Sequence, residues 1–216
     1  RAQCYGGLRR GPDVGREGGP TRSETRDSGF ESGIHTWDHV LWQDKVAHAD
    51  AQWTRRQMDL ACARFEEIFG EAARIHGAAG WQMNRHAYRL TQRLGFAYCS
   101  DTRGSAPFVP ICQGEIIACP QLPTTLPTLD EMIGVDGVNT SNVVSRLLEL
   151  TRESPPTGHA HTLHAEMEGM KLRPLFEKLL AGCQPPGHEL VSPGRSLASP
   201  PAAFPTPHVR AHAQAS

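Results

Sequence analysis

Two histidines with the spacing of metal ligands, His35 and His39, lie in the heptapeptide Gly-Ile-His-Thr-Trp-Asp-His at 33–39. Side chains at i and i+4 leave the same face of a helical turn, so both imidazoles could bind one divalent cation. Asp38 could be a third ligand, a hydrogen-bond partner for a ligand histidine, or a solvated acid. Packed and surface histidines can share this spacing, so the pair alone is a weak indication of a metal site.

Two further groups of polar residues follow apolar stretches. His164 ends the stretch 160–164, where an imidazole could donate or accept a proton in a reaction or could simply be hydrogen-bonded to a backbone carbonyl. Asp101 and Arg103 follow the stretch 96–99. Asp101 could orient a histidine and Arg103 could hold an anion such as a phosphate, or the two could form a simple Asp–Arg turn.

The elements that must position these residues alternate along the chain. Apolar spacing predicts helices at 53–69, at 84–94, after a cap on Asn139 through 150, and at 172–181. Strands are predicted at 30–34, 73–78, 96–99, 160–164 and 189–191. This order predicts a mainly parallel sheet with helices outside, either open or closed into a barrel. Chemistry in such folds gathers at the carboxyl ends of strands, where the three candidate groups fall.

Three segments do not fit this alternation. The stretch 107–127 begins and ends with proline and is rich in it, so it is predicted to be a long loop, either a substrate-binding lid or an inert surface excursion. Residues 1–26, rich in Gly and Arg, are predicted to be irregular, and the Pro-, Ala- and His-rich segment 192–216 is predicted to be a disordered tail. The folded domain is therefore expected at 27–191.

Composition narrows the classes of function. The formal net charge is -1, so no broad basic field argues for a nucleic-acid partner. The six cysteines include no Cys-x-x-Cys pair, which favours reduced thiols in a cytosolic protein. No segment approaches the roughly 20 apolar residues of a membrane span. The sequence starts with Arg1 and its first methionine is Met58, so we interpret it as a fragment.

From about residue 27 to residue 191 the chain resembles the polysaccharide deacetylase (NodB-homology) superfamily, and within it the deformylases of a lipid-linked formamido-sugar. The matching stretches are 33–39, Ala-Ala-Gly-Trp at 78–81, Tyr-Cys-Ser-Asp-Thr-Arg-Gly at 98–104, Leu-Pro-Thr-Thr-Leu-Pro-Thr-Leu-Asp-Glu-Met-Ile-Gly at 122–134, and Leu-His-Ala-Glu-Met-Glu-Gly at 163–169. The stretch 33–39 is shared across the superfamily. The proline-spaced stretch 122–134 points to the deformylases.

The resemblance implies an α/β fold, a deformed (β/α) barrel, and a divalent metal (zinc, manganese or cobalt) held by one aspartate together with His35 and His39. It implies hydrolysis of undecaprenyl-phosphate-linked 4-deoxy-4-formamido-L-arabinose, a step in lipid A modification and polymyxin resistance. The protein would be cytoplasmic. Either the loop 107–127 touches the inner membrane peripherally, or the sugar phosphate is reached from solution.

The same resemblance implies roles for four further residues. His164 matches the general acid, and Asp101 matches the residue that orients or tunes that acid. Trp81 and Arg103 match positions that bind the substrate. These roles come from the resemblance and not from spacing.

The chain departs from the family at its N-terminus. No Asp-x-Asp occurs in the sequence, so the catalytic base and the third metal ligand are not present, and the barrel is expected to be truncated at its N-terminal strand. Gln82 stands where the family often has arginine. Two alternatives therefore remain: a catalytically dead remnant, or a deacetylase of another N-acylated glycan such as peptidoglycan or chitin.

Overall fold

The computed structural model describes residues 4–6, 24, 27–153, 155–183 and 190–194. Its main sheet is parallel and has the order β1-β2-β3-β4, formed by Cys4–Gly6, Ser32–Ile34, Ile75–His76 and Tyr98–Cys99. Parallel neighbours need crossover connections, and helices supply those between β2 and β3 and between β3 and β4. The predicted parallel sheet is confirmed for β2, β3 and β4, although each is shorter than its predicted segment.

The α-helices of the described residues are α1 (His39–Lys45), α2 (Ala51–Phe69), α3 (Arg85–Arg93), α4 (Leu129–Met132), α5 (Val143–Leu150) and α6 (Arg173–Gly182). Short 3₁₀ turns at Val46–His48 and Ala79–Trp81 and a π-helical turn at Met167–Lys171 complete the helical elements. The helices predicted at 53–69, 84–94 and 172–181 are confirmed as α2, α3 and α6. No helix within these ranges is long and apolar enough to cross a membrane.

Side chains at the helix ends explain why α2 and α3 form where they do. The Asp50 carboxylate accepts from the backbone N–H of Trp53 at the start of α2, and Gly70, with φ 70°, ends it in the left-handed conformation that glycine tolerates. Asn84 caps α3. Its amide nitrogen also donates to the carbonyls of Val46 and Ala49, so this one side chain joins the start of α3 to the segment before α2.

The segments predicted to be irregular contain short strands. β1 lies within 1–26 and pairs in parallel with β2, so that segment holds one strand, and the other described residue within it is Glu24. Within 107–127, Ile111–Cys112 (β5) and Glu115–Ile116 (β6) form an antiparallel hairpin. The predicted loop therefore carries a small element of its own. The predicted tail 192–216 lies outside the described residues except for 192–194.

Two predictions in the C-terminal half were wrong, and a third is only partly covered. No strand forms at 160–164, because its backbone makes no ladder of hydrogen bonds with a second described segment. The Ala160 carbonyl alone accepts from the N–H groups of Thr125 and Leu126. Asn142, not Asn139, is the residue before α5. Of the strand predicted at 189–191, residues 190–191 are not strand, and 189 lies outside the described residues.

The chain divides into two compact units, each with its own core. The first comprises 1–103, 107–123 and 192–216, and its core includes the fully buried Trp42, Val46 and Met58. The second comprises 104–106 and 124–191, with Leu129 and Leu147 at the centre of its core. The single folded domain expected at 27–191 stays a prediction.

Candidate functional site

The two histidines of the heptapeptide are adjacent, but a single helix does not place them. His35 follows β2, Thr36 takes a positive φ of 63°, and α1 begins at His39. The ring centroids of His35 and His39 are 5.1 Å apart with a 59° angle between the ring planes. The prediction of one shared helical turn was therefore wrong, while the closeness of the two rings is confirmed.

Asp38 has a role that was not foreseen. Its side chain accepts from the backbone N–H of Leu41 at 2.9 Å and caps the start of α1. Because His39 is the first residue of that helix, the cap helps to fix where His39 leaves the backbone.

A backbone contact sets the tautomer of His35. Its Nδ1 lies 2.6 Å from the Gly77 carbonyl oxygen, which can only accept, so Nδ1 carries the proton. The lone pair of the neutral ring is then on Nε2, the arrangement typical of a metal-ligating histidine. His35, the donor, follows β2, and Gly77, the acceptor, follows β3, and these two strands pair side by side.

A third ligand for these two histidines is not found in the described part of the chain. The one group there of three His, Cys, Asp or Glu residues with mutually close ligand atoms is formed by His76, Cys99 and Asp101.

Asp101 is fully buried at the end of β4 and accepts three hydrogen bonds. Oδ1 accepts from Nδ1 of His76 at 2.6 Å and from the backbone N–H of Ala78 at 3.0 Å, and Oδ2 accepts from Nε2 of Gln121 at 3.0 Å. Gln121 in turn accepts from the backbone N–H of Asp101. The histidine in contact with Asp101 is therefore His76, and a role of Asp101 toward His164 stays a prediction.

His76 was missed by the sequence reasoning, which treated 73–78 as a short buried strand. Its side chain is fully buried, and its Nε2 has no hydrogen-bond partner among the described residues. A histidine inside an apolar strand segment is the signal that could have marked it, since buried polar side chains need partners.

Two buried thiols lie beside this network. Cys99 and Cys119 have their sulfur atoms 3.5 Å apart. Burial is the main cause that raises the pKa of Cys99 well above its usual value. The hydrogen bond with Cys119 and the charge of Asp101 raise it further. Hydrogen bonds from Cys99 and then Thr91 lower the pKa of Cys119, although burial opposes them. Cys119 is therefore the more acidic thiol of the pair.

Trp81 and Arg103 contact each other, as two residues of one substrate site would. The Arg103 guanidinium carbon lies 4.7 Å from the centroid of the Trp81 ring, within the range of a cation–π interaction. Trp81 has a positive φ of 55°, an uncommon conformation for a bulky residue. The preceding Gly80 also has a positive φ, and a Cβ there would lie 2.8 Å from the Gln43 side chain.

His164 belongs to the second unit. Its Nδ1 lies 3.3 Å from Oδ1 of Asp130, and its backbone N–H donates to Oε2 of Glu168 at 2.8 Å. The candidate acid thus has a carboxylate beside its ring. Neither carboxylate was assigned this role from the sequence.

No protein-family profile matches the chain. In sequence it is similar to the probable 4-deoxy-4-formamido-L-arabinose-phosphoundecaprenol deformylase of Shewanella sediminis (strain HAW-EB3), with 32% identity over 170 residues, which are 79% of this chain and 54% of that protein. The protein of the same name from Wigglesworthia glossinidia brevipalpis is 31% identical over 160 residues, 74% of this chain and 54% of that protein. The chain spans about half the length of the curated relatives it matches.

Solved structures show the same fold. A candidate polysaccharide deacetylase from Mycobacterium smegmatis matches with a TM-score of 0.59 and 17% identity over 78% of this chain and 61% of that one. A family 4 acetyl xylan esterase from Clostridium thermocellum, solved with a cobalt ion, matches with a TM-score of 0.55 and 9% identity, over 92% of this chain and 91% of that one. A CE4 family pseudoenzyme from Bacillus anthracis matches with a TM-score of 0.56 and 10% identity, over 91% of this chain and 56% of that one. At these identities the likeness concerns the fold alone, and it confirms the predicted fold class.

Proposed function

This chain is a relative of the 4-deoxy-4-formamido-L-arabinose-phosphoundecaprenol deformylases and has the polysaccharide deacetylase fold, and from that premise we propose that it is part of a metal-dependent amide hydrolase. The proposed reaction removes the formyl group from a formamido-arabinose carried on undecaprenyl phosphate. Its product would be the free amine that is used to modify lipid A. Such a modification would reduce binding of cationic antimicrobial peptides such as polymyxin.

The observation that carries the proposal is the contact between His35 and Gly77. With the proton of the His35 ring on Nδ1, its Nε2 carries the lone pair that could bind a metal ion, and the ring lies beside that of His39. Two imidazoles are suitable ligands for zinc, cobalt or manganese, so the residues present fit part of a metal site. When bound, such an ion would polarise the formyl carbonyl and make a bound water more acidic.

The remaining proposed roles concern protons and substrate. His164 donates a proton to the departing amine nitrogen, since formamide cleavage requires that nitrogen to leave as a neutral amine. Arg103 binds the phosphate of the lipid-linked sugar, and Trp81 packs against the sugar and holds Arg103 through its ring. The proposed partner is therefore an anionic lipid-linked sugar, reached at the surface of the inner membrane or from solution.

A non-catalytic protein is the second candidate function, and the absence of Asp-x-Asp from the 216 residues favours it. Loss of a general base typically costs about 10² to 10⁴ in rate. Two protein ligands are also fewer than the three that catalytic zinc sites usually have. A chain of this kind would keep the fold and would bind metal weakly or not at all.

Metal binding and formate release together distinguish the candidates. The purified chain is stripped with a chelator and titrated with zinc, cobalt and manganese, alongside His35→Ala, His39→Ala and the control His48→Ala, which changes a histidine of a 3₁₀ turn outside the site. We expect the first two substitutions to weaken binding by at least about 10-fold and the control to leave it unchanged. Equal binding by all four proteins would contradict the metal site.

Formate release is measured from the lipid-linked formamido-sugar, with an N-acetylated oligosaccharide as the competing substrate. Formate release that His164→Ala abolishes supports the deformylase. Acetate release from the oligosaccharide would support a deacetylase of another glycan instead. Metal binding without either product would identify the non-catalytic candidate.

A further inference from the structure

The candidate acid His164 contacts two carboxylates through different parts of the residue. Oδ1 of Asp130 lies 3.3 Å from the Nδ1 atom of its ring, a close approach without the geometry of a hydrogen bond. Oε2 of Glu168 accepts a hydrogen bond from its backbone N–H at 2.8 Å. All three residues belong to the second unit, in which α4 carries Asp130 and the π-helical turn carries Glu168. One contact acts on the ring and the other on the backbone.

The fold determines where the Asp130 carboxylate lies. Asp130 is in the first turn of α4, which starts with a capping box: the Thr128 hydroxyl accepts from the N–H of Glu131, and the Glu131 carboxylate accepts from the N–H of Thr128. Leu129 in the same turn is fully buried. Asp130 itself is 41% exposed, so its carboxylate does not serve to fill the core.

Glu168 is unusual because its side chain is completely buried. Its Oε2 receives the N–H of His164, while Oε1 has no hydrogen-bond partner in the part of the chain that the structure describes. Burying a carboxylate is costly, and a leucine would fill the same space in a core at less cost. The contact with His164 gives a reason for a carboxylate at this position.

The role of Asp101 toward His164 stays a prediction, and the hydrogen bonds that its carboxylate accepts come from residues of its own unit. Both of its oxygens accept hydrogen bonds within the first unit, from His76, Ala78 and Gln121. Asp130 is in contact with the ring of His164.

We propose that Asp130 and Glu168 are the positioning residues of His164. The charge of the Asp130 carboxylate beside the ring favours the proton on Nδ1 and so leaves Nε2 as the atom that exchanges a proton with substrate, and Glu168 holds the backbone from which the ring projects. The role of His164 as an acid rests on the proposed function. The two contacts with the carboxylates do not, so they can be tested in the chain without substrate.

The first test reads the tautomer of His164 from its ring nitrogen shifts by NMR, at about pH 8.5, where histidine rings are ordinarily neutral. The His164 signals are assigned by their loss in His164→Gln. We expect the Nδ1–H tautomer in the wild type and a shift toward Nε2–H in Asp130→Asn and Asp130→Ala, which both remove the negative charge beside the ring. An unchanged tautomer in Asp130→Ala would overturn the proposal. If that variant does not fold, Asp130→Ser, whose shorter side chain does not reach the ring, replaces it.

The second test measures amide hydrogen exchange at His164. Glu168→Gln retains an acceptor for this N–H, whereas Glu168→Ala removes it, so exchange should accelerate by at least about 10-fold in the alanine variant alone. The amide of Thr54 in α2, in the other unit, provides the reference for global unfolding. Equal exchange in Glu168→Ala and the wild type would contradict the role of Glu168. If both contacts are verified but no substrate is hydrolysed, the proposed function fails and this inference stands.

Discussion

Nδ1 of His76 lies 2.6 Å from Oδ1 of Asp101, and both side chains are fully buried. His76 ends β3 and Asp101 follows β4, so this contact ties together the ends of two neighbouring strands. The carbonyl of Gly77, the residue after His76, accepts a hydrogen bond from Nδ1–H of His35. The end of β3 is thus hydrogen-bonded to Asp101 through His76 and to the proposed metal ligand His35 through Gly77.

Removing the Asp101 carboxylate should destabilise the protein strongly. Asp101→Ala leaves the Nδ1–H of His76 and two further buried donors without an acceptor, and each such donor costs about 1–3 kcal/mol. We expect the free energy of unfolding in urea to fall by more than about 3 kcal/mol. Asp130→Ala, at a partly exposed carboxylate, should cost less than about 1 kcal/mol. Similar losses in the two variants would show that the buried network contributes little.

A side chain at Gly33 should disturb the strand pair beneath the two histidines. A Cβ at this position would lie 2.8 Å from the carbonyl oxygen of Ile75, a backbone atom of the neighbouring strand. Gly33→Ala should therefore lower the free energy of unfolding by about 1–3 kcal/mol and weaken metal binding at His35. Gly169→Ala is the matched control, since no atom lies within 4 Å of its added Cβ. Thermal melts and metal titrations of both variants provide the measurement.

Asn84 should contribute more than an ordinary helix cap, because its amide nitrogen also donates to Val46 and Ala49. Asn84→Ala removes both functions and should cost about 2–3 kcal/mol, against about 1 kcal/mol for loss of a typical cap. Asn84→Asp keeps the cap but turns a carboxylate oxygen toward carbonyl oxygens. We expect it to be nearly as destabilising in urea melts. An aspartate variant as stable as the wild type would mean that only the cap matters.

Cys62 should react slowly with alkylating reagents. Burial, and then the charges of Asp59 and Glu66, raise its pKa from 9.0 to about 11. The thiolate is the reactive form, so at about pH 8 the rate with iodoacetamide should be about 100-fold lower than for the same cysteine in urea-unfolded chain. Asp59→Asn should speed the reaction modestly because one negative charge is lost. Mass spectrometry of the Cys62 peptide over time measures both rates.

Helices that are defined by local residue patterns were predicted correctly. The helix over Ala51–Phe69 and its glycine stop followed from apolar spacing and from Gly70, since both depend on residues within a few positions of one another. The segment 160–164 shows the limit. It is apolar enough for a strand, but a strand needs a partner, and of its residues Ala160 alone is joined by backbone hydrogen bonds to Thr125 and Leu126. A strand pair depends on distant residues that a local pattern does not contain.

The sequence alone was enough to predict the histidine pair, the acid candidate His164 and the parallel α/β arrangement. Residue types, their spacing and the alternation of elements are all properties of the linear sequence. The tertiary structure decided which side chains meet. Asp101 contacts His76, and Asp130 lies beside His164. These partners are 25 and 34 residues apart in sequence, so only the packing of strands and helices brings their atoms within reach.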